Sequence, residues 1–163
     1  MKNNKNDVVF TPRSISSAVV EHFNPTGLCL DPCLGDGAFY DYLPIGSLWC
    51  EIQRGVDFYN FDRQVDWIIS NPPFSEYDNF LGKAFAVANN VVYLIPLYKT
   101  FKSKKQQVMV NNYGGLVEIL IIDSGTKCGF NFGFLCGCVH YKKGYTGTTK
   151  ISELSKEMTN EKQ

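Results

Sequence analysis

Asn71-Pro72-Pro73-Phe74 closes the apolar run from Val65 to Ser70 and carries the most chemical content in the chain. Two consecutive prolines fix φ and remove two N–H donors, so the Pro72 carbonyl is held in a defined direction. The Asn71 side-chain oxygen and that carbonyl can both accept hydrogen bonds from one planar amino group. Phe74 offers a flat face on which a base can stack. A structural turn uses Asn-Pro readily, but rarely Asn-Pro-Pro-aromatic at the end of a buried strand. Such a corner suits an exocyclic amine whose lone pair is delocalised into its ring. Two acceptors on the amine hydrogens pull the nitrogen toward a tetrahedral, more nucleophilic geometry and aim it.

A second cluster lies upstream. Asp31-Pro32-Cys33-Leu34-Gly35-Asp36-Gly37 follows the apolar Leu28-Cys29-Leu30. Gly35 and Gly37 let the backbone turn sharply and leave room for a ligand against the main chain. A carboxylate at a strand tip can meet a cationic ligand group, and open α/β sheets bind ligands at these ends. Gly and Asp also make plain turns. Glu51 ends the next short strand, where an acid can accept from both ribose hydroxyls of a nucleoside, or be an ordinary exposed acid. Asp57-Phe58 follows, an acid and a ring suited to an adenine amino group and its base face.

Together these pieces resemble the S-adenosylmethionine-dependent DNA adenine-N6 methyltransferases of the Asn-Pro-Pro-aromatic group. In order, the matching elements are Phe10-Thr11-Pro12, Asp31-Pro32 with Gly35 and Gly37, Glu51, Asp57-Phe58 and Asn71-Pro72-Pro73-Phe74. The stretch from Trp49 through Phe58 is similar to small phage-type or mobile-element members. The resemblance implies that Thr11 and Pro12 help hold the methionine end of S-adenosylmethionine. Asp31, Pro32, Cys33, Gly35 and Gly37 would face its amino and carboxylate groups. Glu51 would take the ribose hydroxyls, and Asp57 and Phe58 the adenine. Asn71, Pro72, Pro73 and Phe74 would form the catalytic corner, with Asn71 also bordering the cofactor and Phe74 stacking on the target base. No metal is implied. A target adenine in duplex DNA must first leave the stack, and the Phe74 face offsets part of that cost.

Further residues are candidates for the substrate side. Lys99, Lys102, Lys104 and Lys105 cluster beside Tyr98 and Phe101 and can track a phosphate backbone, or form a solvated helix face. Phe130 or Phe132 can complete a base pocket, or pack in the core. His22 and His140 lack a catalytic spacing and read as structural.

These residues need a scaffold that brings strand ends to one edge. Short apolar strands are expected at 28–30, 47–52, 65–70, 91–96, 116–122 and 134–141. Helices are expected at 14–23, 79–88 and 99–110, with a short one at 38–43 before Pro44. Continuous apolar strands argue for a mostly parallel sheet covered on both faces. The fold class is therefore α/β, Rossmann-like, with a C-terminal antiparallel hairpin strand. Residues 1–145 form a minimal catalytic domain, and 146–163 a polar, exposed tail with a short helix at 152–158. No separate target-recognition domain fits after Phe74, so sequence specificity is low, carried by short loops, or supplied by a second copy or another protein.

Composition sets outer bounds. Of 163 residues, 44% are hydrophobic, enough for a sizeable core. Lysine plus arginine balances aspartate plus glutamate at 16 each, which excludes a globally basic nucleic-acid binder but not a local basic patch. No apolar run reaches membrane-spanning length, and Met1 to Asp7 lacks the apolar region of a secretory signal. A cytoplasmic protein of a prokaryotic or phage-infected cell is expected. The six cysteines are then reduced, and none forms the C-x-x-C pair of a zinc knuckle. The main expectation is methyl transfer to adenine N6 in DNA. RNA adenine, a protein amide, or a noncatalytic cofactor-binding partner role are the alternatives.

Overall fold

Strand residues that alternate in direction divide the apolar side chains between two faces of one sheet. Ile68, Val91, Tyr93 and Ile95 pack on one side, while Ile69, Val92 and Leu94 pack on the other. Both faces are buried, so these strands read as unbroken apolar runs. The computed structural model describes residues 9–155. Its strands are β1 (Cys29–Asp31), β2 (Leu48–Trp49), β3 (Val65–Ser70), β4 (Ala88–Pro96), β5 (Gly114–Ser124), β6 (Leu135–Lys143) and β7 (Lys150–Glu153). They form one seven-stranded sheet in the order β2-β1-β3-β4-β6-β5-β7. All neighbours run parallel except at β6, which is antiparallel to both β4 and β5. This is the expected mostly parallel Rossmann-like sheet with a late antiparallel strand.

Helices cover both faces. Helix α1 (Arg13–Phe23) contributes Ile15, Ala18 and Val19 to one core, with Phe39 and Leu43 from the chain after β1. Helix α2 (Tyr77–Val87) buries Tyr77, Phe80, Leu81 and Ala84 in the other, and α3 (Lys104–Tyr113) adds Val110. Burying each such large side chain contributes about 1.5–3 kcal/mol. The expected helix at 99–110 is broken. Residues Leu97–Phe101 form a 3-10 turn, and α3 starts only after Ser103, whose side chain accepts from the Gln106 N–H. That serine cap provides a better helix start than continuation through it. The short helix expected at 38–43 is a single 3-10 turn at Tyr40–Tyr42.

The tail departs most from expectation. Residues 150–153 are a strand, not the start of a helix, so the sheet extends past residue 145; the rest of the expected helix lies outside the described residues. Strand β7 pairs in parallel with β5. The cause is a polar anchor. Glu118 on β5 accepts from the Ser152 hydroxyl and pairs with Lys150 at 3.5 Å, and Thr149 donates to the Leu116 carbonyl at 2.8 Å. Leu154 is buried, and its N–H bonds the Ile121 carbonyl at 2.8 Å. These partners lie more than 30 residues away, so local polarity does not reveal them.

Candidate active site

The ends of β1 and β3 meet because the two strands are adjacent and parallel. At their tips a short cleft is lined by Thr11, Asp31, Cys33, Gly35 and Asn71, with Phe10 and Phe39 beside them. Five residues expected at a cofactor site, from three separate segments, therefore share one cavity.

Asp31 is 1% exposed. Its Oδ1 accepts from the Ser70 hydroxyl at 2.6 Å and from the Cys33 N–H at 3.1 Å. Burial pushes the Asp31 carboxyl up to about 6, against the opposing bonds from Ser70 and the main-chain N–H groups of Cys33 and Tyr40. A carboxylate held this far from water gains much from an ammonium group placed beside it. Cys33 is half-buried, and burial first, then the nearby acids, pushes its thiol well up. It is therefore a neutral thiol, not a nucleophile.

The loop after Asp31 is held from two sides. Glu51 accepts from the Gly35 N–H at 2.8 Å through one oxygen and from the Gln53 N–H at 3.1 Å through the other. Glu51, the residue expected to meet a ribose, thus orders the glycine loop. Gly35 and Gly37 have φ of 53° and 86°, the left-handed region the loop requires. Arg13 clamps the far side, donating to the Gly37 carbonyl at 2.9 Å and the Asp36 carbonyl at 2.7 Å. Pro12 precedes α1, and its carbonyl receives the Ile15 and Ser16 N–H groups, which directs Thr11 into the cleft.

Asn71 donates from Nδ2 to Thr11 Oγ1 at 3.2 Å. This bond sets the plane of the amide and gives the acceptor role to its oxygen. Pro72 is buried, and the Pro73 carbonyl accepts from the Glu76 N–H at 3.1 Å. Phe74 is half-buried, with Phe130 at 5.0 Å and Phe132 at 6.1 Å, both edge-on. Phe130 belongs to the core, and Phe132 stacks on it at 5.1 Å but is partly exposed, which makes it the more accessible of the two rings.

Other expected residues are placed differently. Phe58 is 3% exposed and packs against Phe80 at 5.4 Å, so it has almost no face to offer an adenine. The apolar cluster over α2 captures it because burying a phenyl ring outweighs leaving it at the loop surface. Asp57 caps the next turn, accepting from the Tyr59 N–H at 2.9 Å. The four lysines do not form one patch. Lys99 donates to the Phe74 carbonyl at 3.0 Å, Lys102 pairs with Asp78 at 3.3 Å, Lys104 begins α3, and Lys105 lines a cavity between α2 and α3. The break before α3 separates them. His22 bonds Glu118, and His140 bonds Asn90 and stacks on Trp67, both in structural positions. Burial pushes the His140 imidazole down to about 4.

Three residues of the site escaped the sequence reading. Ser70 signals itself only as a polar residue ending an apolar strand. Arg13 and Gly129 gave no signal. Gly129 lets the late loop approach the Phe10 main chain, since a Cβ there would lie 2.6 Å from the Phe10 carbonyl oxygen. Among the described residues no group of three His, Cys, Asp or Glu side chains is placed to hold a metal, and no helix is long and apolar enough to cross a membrane.

No family model matches the chain, and no curated protein matches it. Solved structures do. A Listeria monocytogenes protein proposed to be a class I S-adenosylmethionine-dependent methyltransferase has a TM-score of 0.70 at 12% identity, over 98% of this chain and 73% of its own. The fold is that of the S-adenosylmethionine-dependent methyltransferases. The methyltransferase subunit of a type I restriction-modification system from Streptococcus thermophilus has a TM-score of 0.69 at 13% identity, over 91% of this chain and 48% of its own. A proposed RNA methyltransferase from Pyrococcus horikoshii has a TM-score of 0.61 at 17% identity, over 88% and 92%. The chain spans about half the length of the type I modification subunits it resembles. In this methyltransferase fold, the buried acid, the glycine loop and the amide corner all stand at one sheet edge.

Proposed function

We propose that this chain binds S-adenosylmethionine and methylates the N6 amino group of adenine in DNA. The observation that carries the reading is the Asn71 amide, whose nitrogen is committed to Thr11 in the cleft that also holds Asp31. Its oxygen and the Pro72 carbonyl are the two acceptors for one amino group.

The donor set fits the cofactor. Asp31 suits the methionine ammonium, the exposed turn at Gly35 and Asp36 borders the same cleft on the side proposed for its carboxylate, and Glu51, which accepts from the Gly35 N–H, is the residue proposed for the ribose hydroxyls. S-adenosylmethionine supplies an activated methyl group. The residues of the chain do the rest. Asn71 and Pro72 hold the amine hydrogens, aim the nitrogen, and gain strength as it becomes positive during transfer. A nitrogen–carbon bond forms as the carbon–sulfur bond breaks, and one amine proton passes to solvent. Phe74 and Phe132 offer ring faces to the target base. DNA is the proposed partner, with a second copy or another chain supplying recognition.

The test is incubation of the purified chain with isotopically labelled S-adenosylmethionine and, separately, DNA, RNA and protein extract. Label recovered from DNA as N6-methyladenine supports the reading. Label only in RNA or protein replaces the substrate. Cofactor binding with no transfer to any of them makes the chain a noncatalytic partner.

A further inference from the structure

We propose that Ser70 is a positioning residue of this site: its buried hydroxyl holds the Asp31 carboxylate ready for the ammonium group of the cofactor. The inference deepens the methyl-transfer reading and rests on it for S-adenosylmethionine as the ligand.

Ser70 ends β3, directly before Asn71, and is fully buried. The residues before it, Ile68 and Ile69, are buried apolar side chains, and a hydroxyl in their company costs free energy unless it is bonded. It donates to Asp31 Oδ1 at 2.6 Å, across the parallel pairing of β1 and β3. That length is typical of a hydroxyl on a carboxylate, a bond roughly twice as strong as a neutral one. The Cys33 N–H reaches the same oxygen at 3.1 Å. Asp31 is thus gripped from two elements, and its direction is set before a ligand arrives. A ligand-binding group works best when neighbouring bonds fix it in this way. Through the Ser70–Asn71 peptide the same residue joins the ammonium site to the amide corner.

The bond also favours the charged form, because a hydroxyl donates to a carboxylate more strongly than to a protonated acid. Burial pushes the Asp31 carboxyl up, and of the bonds that oppose burial the Ser70 hydroxyl is the strongest, ahead of the Cys33 and Tyr40 N–H groups. The titratable groups that face Asp31 give no such help. The Cys33 thiol, also in reach of Ser70, and Tyr93, paired with Ser70 on β4, are both pushed well up by burial and stay neutral. Cys50, after β2, is pushed up to about 11, again by burial first. Glu51 is an acid that pushes the Asp31 carboxyl further up, and Asp36 borders the cleft as another. Without the hydroxyl, Asp31 takes up its proton at higher pH, and a neutral acid has no charge to offer an ammonium.

Two measurements on the purified chain test this. Calorimetry reads S-adenosylmethionine affinity from about pH 5 to about pH 8.5, and carbon-13 NMR reads the titration of the Asp31 carboxyl without ligand. In Ser70→Ala the pH at which affinity is half lost moves up by about one unit, the scale for losing one hydrogen bond to a charged group, and the Asp31 titration moves with it. At about pH 8.5 affinity returns to within about threefold of wild type, because high pH restores the charge. Ser70→Thr keeps the hydroxyl and stays at the wild-type position in both measurements. Ser70→Cys, close to serine in shape with a weaker donor, moves both upward and carries the test if circular dichroism shows the alanine variant unfolded. In Asp31→Asn the change Ser70→Ala leaves the affinity profile flat. An affinity loss equal at every pH, an unmoved Asp31 titration in the alanine and cysteine variants, a threonine variant that behaves as alanine does, or a slope surviving in Asp31→Asn would overturn the role. A wild-type chain that binds no S-adenosylmethionine at any pH would overturn the cofactor reading and this role together, and the NMR titration tells that failure from a failure of the Ser70 bond alone.

Discussion

Two hollows of this molecule invite comparison. The larger, a cavity of about 410 Å³, lies between α2 and α3 and is lined by Tyr59, Asp78, Lys105 and Gln106 among others. The smaller is the narrow cleft at the tips of β1 and β3. In the large cavity the polar groups satisfy one another. Asp78 receives Gln106 at 3.0 Å and Lys102 at 3.3 Å, while Gln106 also donates to the Lys99 carbonyl at 3.0 Å. At the strand tips Thr11, Asp31 and Asn71 line the cleft while bonded to neighbours, and burial pushes the one acid among them up to about 6. Volume is therefore a poor guide to chemistry here. Stored electrostatic cost and directed acceptors mark the site.

The comparison breaks most sharply at Asn71. Asn71→Ala should lower methyl transfer by about 100-fold or more, the scale for losing one preorganised polar group, with cofactor affinity little changed. Labelled-methyl kinetics and calorimetry read the two quantities. Asp31→Asn keeps an acceptor for Ser70 but removes the charge. Cofactor affinity should fall by about 10- to 100-fold, as for loss of a charged hydrogen bond.

Acidity gives the next effect. With its carboxyl at about 6, Asp31 becomes protonated as pH falls. Cofactor binding needs the ionised form, so affinity should be about tenfold weaker at pH 5 than at pH 7 and independent of pH in Asp31→Asn. Stability runs the other way. The unfolded carboxyl titrates near ~3.9, so the folded chain holds an extra proton between about pH 4 and 6. This group's contribution is complete below that window and is lost as pH rises through about 6, a slope that thermal melts of Asp31→Asn should lack.

The large cavity should respond in stability alone. Gln106→Ala strips partners from a buried cluster and should cost about 1–3 kcal/mol in denaturant unfolding. Cofactor affinity in that variant should stay within about twofold, as it should in Lys105→Ala, the smallest effect expected.

Much of the site was legible because its signals are local. Asn71 to Phe74 and Asp31 to Gly37 each end an apolar run, and a strand end in a parallel sheet is where ligands bind. The alternation of apolar strands and helical stretches likewise determined the α/β class. What the sequence could not decide was which side chains answer others from afar. Lys99 reads as a phosphate contact and instead holds the Phe74 carbonyl. Phe58 reads as a ring for a base and instead fills the core. Residues 150–153 read as polar tail and instead extend the sheet through Glu118, 32 to 35 positions away. Local pattern records how a segment wants to turn and which face avoids water. Only the folded chain brings distant donors, acceptors and apolar surfaces into reach, and those long-range partners settle whether a charged or aromatic side chain serves a ligand or the protein itself.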